Sequence, residues 1–191
     1  MKTKLVLIVV FALAANELCA AKFWEKPYSQ WTKGEVFKLL NDSPWGKQMT
    51  TFWQTGDRGT GISGEKEIFN QYTVRPFTAL PIRHAYVRLM QLMNNYDSQP
   101  EDRKREIDLL TQKPLAMDTS QQIIVAIEFA SNQAQTKMDV DRQLRQLRTE
   151  ELSQQAYLIS QRLGRVRIKE YYPPAPDGTG FKLVLDRKSV V

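Results

Sequence analysis

The glycine-rich segment 56–64 is the first stretch whose residue types and spacing could do chemistry. Gly56 and Gly61 are separated as in a loop that cradles phosphate groups with backbone amides. Ile62, however, stands where that motif has its phosphate-binding lysine, and no apolar strand leads through the segment into a helix. The segment is therefore interpreted as the loop of a β-hairpin, and no cofactor is expected.

His84 is the only histidine of the chain. A histidine acting as general base needs a nucleophile within hydrogen-bond reach and a carboxylate that orients the ring, and no sequence signature supplies either. A zinc site built on one histidine, in a chain whose single cysteine is Cys19, is not expected. The pattern favours an ordinary histidine on a helix surface, between Arg83 and Arg88.

Asp139 and Asp141 could place two oxygen atoms near a calcium ion. The glycine and the later glutamate of a calcium-binding loop are missing, so we expect acids near the positive end of a helix and no metal site. Paired carboxylates for sugar hydrolysis are paired in space and not in sequence. An envelope hydrolase with spatially assembled carboxylates therefore stays open as the alternative function.

Three cations alternate with apolar residues in the segment 165–169. They are Arg165, Arg167 and Lys169, and the two-residue period of a strand places them on one face. Such a face could bind an anionic polymer of the cell envelope, or it could hold cations that guard a strand edge. Tyr171 and Tyr172 follow without the glycine–aromatic signature of an RNA-reading fold, so no nucleic-acid partner is expected.

Three of the four tryptophans, Trp24, Trp31 and Trp45, lie within 22 residues of one another. Trp31 precedes Thr32, which begins a capping box with Glu35, and so occupies the position of a hydrophobic staple. This spacing favours a tether that packs the N-terminal segment onto the core, because a large indole ring is costly to leave in water. A platform of exposed rings that stacks on a carbohydrate or peptide ligand is the alternative.

The first 21 residues have the features of an export signal. Lys2 and Lys4 form a basic start, an apolar run follows at 5–15, and small residues precede a cleavage position after Ala21. Lipid attachment at Cys19 is the less favoured hypothesis, because a charged and a large residue precede the cysteine where a lipoprotein signal has small apolar ones. The formal net charge of +6 becomes +5 when the signal takes away two lysines and one glutamate. We therefore expect a secreted or periplasmic chain with no transmembrane anchor after cleavage, no disulfide and no thiolate site.

Hydrophobic periodicity predicts the remaining elements. Helices are predicted at 33–41, at 81–96, from 101 onward behind a second capping box at Ser98, and around 140–147. The buried edge of the third of these is expected at Ile107 and Leu110. Strands are predicted at 48–55, 67–75, 156–160, 166–172 and 181–186, with a central strand at 123–129 covered on both faces. The fold class is α+β: a mostly antiparallel sheet or small β-sandwich of about six strands, with two or three helices packed on one side. The chain is treated as one domain over 22–187, with 188–191 as a tail outside it.

The N-terminal residues also resemble a known group of proteins. Trp24, Trp31–Thr32, Glu35, Leu39–Leu40 and 42–45 (Asp-Ser-Pro-Trp) fit the signature W…W-[ST]-x-x-E…LL-x-D-S-P-W. This signature resembles that of an uncharacterised family of short secreted bacterial proteins of the acidobacterial type. The resemblance implies secretion and no particular activity, since the family has no assigned catalytic or binding residues.

These observations favour a non-enzymatic protein of the cell envelope that binds another protein or an anionic polymer. Its candidate interaction residues are Trp24, Trp31, Trp45, Arg165, Arg167 and Lys169, and no catalytic, cofactor or metal residue is assigned.

Overall fold

The computed structural model describes residues 22–55, 66–160, 164–174 and 179–190. The predicted export signal and the glycine-rich segment 56–64 lie outside these ranges, so both predictions stand as they were made.

Five α-helices and six strands follow one another along the described chain. The helices are α1 (Lys33–Asn41), α2 (Leu80–Met93), α3 (Glu101–Leu115), α4 (Ala134–Gln146) and α5 (Thr149–Gln155). The strands are β1 (Lys47–Thr55), β2 (Lys66–Pro76), β3 (Gln122–Ser131), β4 (Tyr157–Ser160), β5 (Gly164–Tyr172) and β6 (Phe181–Val190). Short 3-10 turns lie at Phe23–Glu25, Tyr28–Gln30 and Tyr96–Ser98.

All six strands belong to one antiparallel sheet with the order β1-β2-β3-β6-β5-β4. The predicted α+β class is confirmed, as a single curled sheet in place of the alternative sandwich. Strand β3 lies in the interior of the sheet, as its run of β-branched residues predicted. Strand β6 continues to Val190, which pairs with Val166, so residues 188–190 of the predicted tail extend a strand.

The core is divided between the two faces of β3. Ile124 and Ala126 pack in a first cluster with Trp31, side chains of α1 and α2, and Phe77. Val125, on the opposite face because side chains alternate along a strand, packs in a second cluster with Val166, Ile168, Leu185 and Leu152 of α5. Helices α1 and α2 therefore cover one face, and α5 lies against the other.

The two predicted capping boxes have different outcomes. At the start of α1, the Thr32 hydroxyl accepts the Glu35 amide at 3.3 Å, and the Glu35 carboxylate accepts the Thr32 amide at 2.8 Å. At α3 the prediction was wrong: Ser98 ends a 3-10 turn, and the helix starts after Pro100 without a side-chain cap. Asn95, just before this turn, has a left-handed φ of 49°, and Gln99 and Pro100 separate Ser98 from the first residue of α3.

The buried edge of α3 also differs from its prediction. Ile107 is buried, but Leu110 is 69% exposed and Thr111 takes its place in the interior. A residue four positions after Ile107 lies about 40° from it around the helix, on the opposite flank from a residue three positions after it. Both spacings fit a helical period, so the sequence pattern alone did not decide between them.

Helix α5 was not predicted. It has seven residues, contributes Leu152 as its one residue in the second cluster, and starts after Arg148 without a side-chain cap. None of the helices among the described residues combines the length and apolar character that a membrane crossing needs.

Two buried arginines of α2 bind carbonyl groups of neighbouring segments. Arg83 donates from Nη1 to the carbonyls of Pro114, Leu115 and Met117 at 3.1–3.2 Å, at the C-terminal end of α3, where helix carbonyls lack backbone partners. Arg88 donates from Nε to the Trp31 carbonyl at 3.0 Å and binds Asp97 with both Nη atoms. Arg83 therefore connects α2 to the end of α3, and Arg88 connects α2 to the N-terminal segment and to Asp97.

Candidate functional site

A cleft of about 680 Å³ lies between helices α1 and α2 and one face of strands β1, β2 and β3. The antiparallel register sets its floor: Gln71 and Thr73 of β2 lie opposite Thr50 and Gln48 of β1, and opposite Ala130 and Glu128 of β3. The walls are mainly apolar side chains of the two helices, Phe37, Leu40, Leu89, Met90 and Met93. The cleft thus combines a polar floor with apolar walls.

Arg75 and Glu128 form an ion pair in the floor. Arg75 Nη1 donates to Glu128 Oε2 at 2.7 Å and to the Tyr86 hydroxyl at 3.2 Å. Its Nε donates to the Leu40 carbonyl and its Nη2 to Asn41 Oδ1, both at 2.8 Å. The Arg75 side chain is 7% exposed, whereas that of Glu128 is 39% exposed. All three nitrogens of the Arg75 guanidinium therefore donate to protein partners, whereas the Glu128 carboxylate faces the cleft.

Acid chemistry in this cleft is limited by its single carboxylate. Among the described residues that line it, Glu128 is the only acid, and Arg75 binds it. Hydrolysis of a glycosidic bond by the usual two-carboxylate mechanism needs a second acid on the other side of the bond. The described lining does not supply that pair.

The three N-terminal tryptophans occupy different environments. Trp31 is 1% exposed, belongs to the first core cluster with Val36, and donates from Nε1 to the Lys26 carbonyl at 3.2 Å. Trp24 and Trp45 are half-buried, pack against the same cluster and meet edge to face at 5.6 Å between ring centroids. A ring as buried as that of Trp31 cannot stack on a ligand, so its place agrees with the tether and removes it from the possible platform.

Trp24 lies close to the predicted cleavage position after Ala21, and its ring is packed between Phe23 and Trp45. It also lines a shallow depression of about 470 Å³ beside Lys22, Lys38 and Lys47. The Lys22 ammonium lies 5.6 Å from the centroid of the Trp24 ring. Of the three rings, Trp24 therefore keeps a position from which it could meet a ligand.

The cations of the basic strand are exposed, as its alternation predicted. In β5 Val166 and Ile168 are buried in the second cluster, while Arg165, Arg167 and Lys169 are exposed. Among the described residues no salt bridge joins these three cations to an acid. Strand β4 lies beside them at the sheet edge, where Ile159 is opposite Arg165 and Tyr157 opposite Arg167. We call the five side chains on this face, Tyr157, Ile159, Arg165, Arg167 and Lys169, the basic face.

Asp139 and Asp141 lie in the middle of α4, because the helix begins at Ala134. The expectation that they stand at a helix start was therefore wrong. Asp139 pairs with Arg142 at 3.3 Å and Asp141 with Lys137 at 2.7 Å, which are ordinary contacts between successive turns. In the described ranges no cluster of three or more metal-ligating side chains occurs.

His84 is packed more closely than a surface histidine. Its ring stacks on Tyr28 at 4.4 Å between centroids and meets Trp31 edge-on at 6.4 Å. Burial, together with the nearby Arg83 charge, lowers the pKa of His84 below its usual 6.5. The neutral imidazole therefore forms part of the contact between α2 and the N-terminal segment.

We expect the thermal stability of the protein to fall as the pH is lowered from 7.5 to 5.5. The pKa of His84 is lower in the folded than in the unfolded chain, so the unfolded chain binds the proton more tightly, and stability is lost as the pH falls through 6.5 toward the folded pKa. Carboxylates such as Glu35, whose pKa is held below 4.5 by Lys26, titrate under this range. The melting temperature of His84→Gln should change less across the range. An equal change in both proteins would show that the stacked ring does not titrate with folding.

Sequence reasoning missed the cleft residues Arg75, Glu128, Gln48 and Gln71. The first two are 53 positions apart and meet only because β2 and β3 pair in one register. One signal was present: Gln71, Thr73 and Arg75 are polar residues that recur every second position of a predicted strand, so they had to share a face.

Comparison of the chain with protein-family models, with curated protein sequences and with solved structures finds no match.

Proposed function

We propose that this chain is a secreted or periplasmic, non-enzymatic binding domain that contacts an anionic polymer of the cell envelope through the basic face. The features of an export signal in residues 1–21 support the compartment. The observation that carries the proposal is the row of three exposed cations on β5, with an aromatic and an aliphatic side chain of β4 beside it.

The geometry of the basic face suits a repeating ligand. Alternate side chains of a strand are roughly 7 Å apart, so Arg165 and Arg167 follow one another at about this spacing, and Lys169 comes next, where the pairing of β5 with β6 is irregular. The Arg165 guanidinium lies 3.7 Å from the centroid of the Tyr157 ring, and this stacking limits the conformations of the arginine. A row of positioned cations favours a linear polyanion over a single small anion.

The apolar part of the face supports contact more than edge protection alone. Ile159 is 73% exposed and Tyr157 is 45% exposed, both on the strand at the sheet edge. Cations that only prevent strands from pairing need no exposed apolar neighbours. Sugar rings of an anionic polysaccharide can pack against such side chains while their charged groups meet the arginines.

Charge reversal on the basic face tests the proposal. The variant Arg165→Glu/Arg167→Glu/Lys169→Glu should bind alginate and linear polyphosphate at least tenfold more weakly than the unchanged protein, measured by calorimetry at about 50 mM salt. The slope of the logarithm of affinity against the logarithm of salt concentration should also become shallower.

The matched control is Arg142→Glu/Arg145→Glu/Arg148→Glu, which makes the same change in net charge at three exposed positions in and after α4. Its affinity should fall less than threefold. Equal losses in the two triple variants would mean that net charge alone attracts the polymer, and the basic face would then have no specific role.

The envelope hydrolase finds less support in the geometry. Its carboxylate pair would have to lie in a cleft, and the described lining of the cleft between α1, α2 and the sheet supplies Glu128 alone, bound to Arg75. Membership of the short secreted bacterial family stays a prediction and adds no activity to the proposal.

A further inference from the structure

We infer that the cleft between α1, α2 and the sheet is a second binding site, which takes a small amphipathic molecule with an apolar chain and a head group that donates hydrogen bonds. This inference goes beyond the proposed polymer contact and does not depend on it, because none of the basic-face residues lines the cleft.

The size of the cleft sets the class of occupant. At about 680 Å³ it lies within the range of roughly 300–1,000 Å³ that small-molecule sites have. The occupant is therefore a small molecule.

The walls accept an apolar chain. Phe37 is 42% exposed, Met90 39% and Met93 74%, and these three side chains lie where α1 and α2 face the opening. Leu40 and Leu89 continue the apolar wall deeper into the cleft. Unbranched methionine side chains adapt to ligands of different shape, so this wall can accept a flexible chain as well as an aromatic probe.

The floor selects the head group because it offers acceptors. Gln48 donates from Nε2 to Thr73 at 3.4 Å and Gln71 donates from Nε2 to Thr50 at 3.5 Å. Within the described part of the chain no hydrogen bond reaches the Oε1 atoms of Gln48, Gln71 or Glu128. Among the described residues the two glutamine amides also keep an unused N–H each, so they can bind either kind of head group, whereas the half-exposed Glu128 carboxylate only accepts and therefore favours a hydroxyl, amide or ammonium donor.

The charge of the floor excludes anionic heads. Arg75 is buried and its donors are directed at Leu40, Asn41, Tyr86 and Glu128, so it has little left to offer a ligand anion. A carboxylate head would lie beside the half-exposed Glu128 carboxylate and repel it. A fatty acid is therefore disfavoured relative to an alcohol or amine of the same chain length.

Displacement of the neutral fluorescent probe N-phenyl-1-naphthylamine measures binding in the cleft. The probe should bind the unchanged protein with increased fluorescence, and 1-decanol and decylamine should displace it at concentrations at least tenfold lower than decanoate. Displacement by decanoate at equal or lower concentration would overturn the assignment of the floor as an acceptor site. Absence of any probe signal would overturn the site itself.

Two substitutions place the binding in the cleft. Ala130→Phe fills the space above the sheet, and Met90→Glu adds a charge to the apolar wall at a half-exposed position that should still fold. Each should weaken probe binding at least tenfold. The control Met138→Glu makes the same change at a 58% exposed position of α4 and should alter binding less than twofold.

If Ala130→Phe does not fold, the affinity of Met90→Glu for the probe decides whether the probe binds in the cleft. If Met90→Glu binds the probe with an affinity within twofold of that of the unchanged protein, the probe binds elsewhere. The same conclusion follows if Met138→Glu loses as much affinity for the probe as Met90→Glu does. Alginate binding distinguishes the two proposed sites. The cleft variants should leave the affinity for alginate unchanged, and the basic-face variant should leave the affinity for the probe unchanged.

Discussion

Replacing Trp31 with alanine should lower the free energy of unfolding by about 3–5 kcal/mol. The indole ring is 1% exposed and packs in the first core cluster with Val36 and Leu39, so its removal leaves a large cavity under α1. The loss of the ring also frees the Lys26 carbonyl, which Nε1 now binds at 3.2 Å. Urea unfolding followed by circular dichroism measures the change.

The other two tryptophans provide a comparison for the stability cost of Trp31→Ala. Trp45→Ala and Trp24→Ala should each cost less than Trp31→Ala, because both rings are half-buried and each supports the other edge to face. Phe37→Ala is the aromatic control: at 42% exposed it should change stability by about 1 kcal/mol or less. A cost below about 1 kcal/mol for Trp31→Ala would contradict the tether and favour the alternative hypothesis, in which the N-terminal rings contact a ligand.

The tether is reinforced from the opposite side by α2. Arg88 holds the Trp31 carbonyl, and His84 stacks on Tyr28, so two side chains of one helix fix the N-terminal segment at two points. The single cysteine of the sequence lies at position 19, before the described residues. In the absence of cysteines beyond that point, buried arginines bound to carbonyls supply the long-range connections.

The strands and most helices could be predicted because their signal is local. The alternation at 67–75 and the β-branched run at 123–129 each fix a face or a burial class within a few residues. The same locality explains the errors at Ser98 and Leu110. The residue types of a capping box do not fix where the helix starts, and a helical period fits Leu110 as well as Thr111, so tertiary structure decided both positions.

The cleft could not be predicted because its residues have no common signal in the sequence. Met90 belongs to an amphipathic helix, Gln71 to a strand and Glu128 to an otherwise apolar run, and only the pairing of β2 with β3 and the packing of α2 bring them together. The basic face differs in this respect. Its three cations lie within five residues of one strand, so alternation alone predicted that they are exposed.

Replacing Arg75 with alanine should lower the free energy of unfolding by about 3 kcal/mol. Four partners lose a charged donor at once: the Leu40 carbonyl, Asn41, Tyr86 and Glu128. A hydrogen bond to a charged group contributes about 1.5–3 kcal/mol, and a buried acceptor left unpaired costs about 1–3 kcal/mol. Water entering through the cleft can solvate part of what is exposed, which keeps the total below the sum of the individual losses.

The position of Arg75 explains why one side chain should matter this much. The Leu40 carbonyl lies in the last turn of α1, where helix carbonyls lack backbone donors and a cation is favourable. The same guanidinium reaches α2 through Tyr86 and β3 through Glu128, so it joins three elements that form the walls and floor of the cleft.

Arg75→Lys separates charge from geometry. A lysine keeps the positive charge but cannot reach all four partners from one ammonium, so it should recover about half of the stability lost in the alanine variant. Arg105→Ala is the control, since Arg105 is 74% exposed and pairs with the likewise exposed Asp102 one turn away on α3, and it should cost about 0.5 kcal/mol or less. If Arg75→Lys unfolds at the same urea concentration as the unchanged protein, the charge alone is sufficient, and the planar arrangement of four hydrogen bonds does not hold the cleft together.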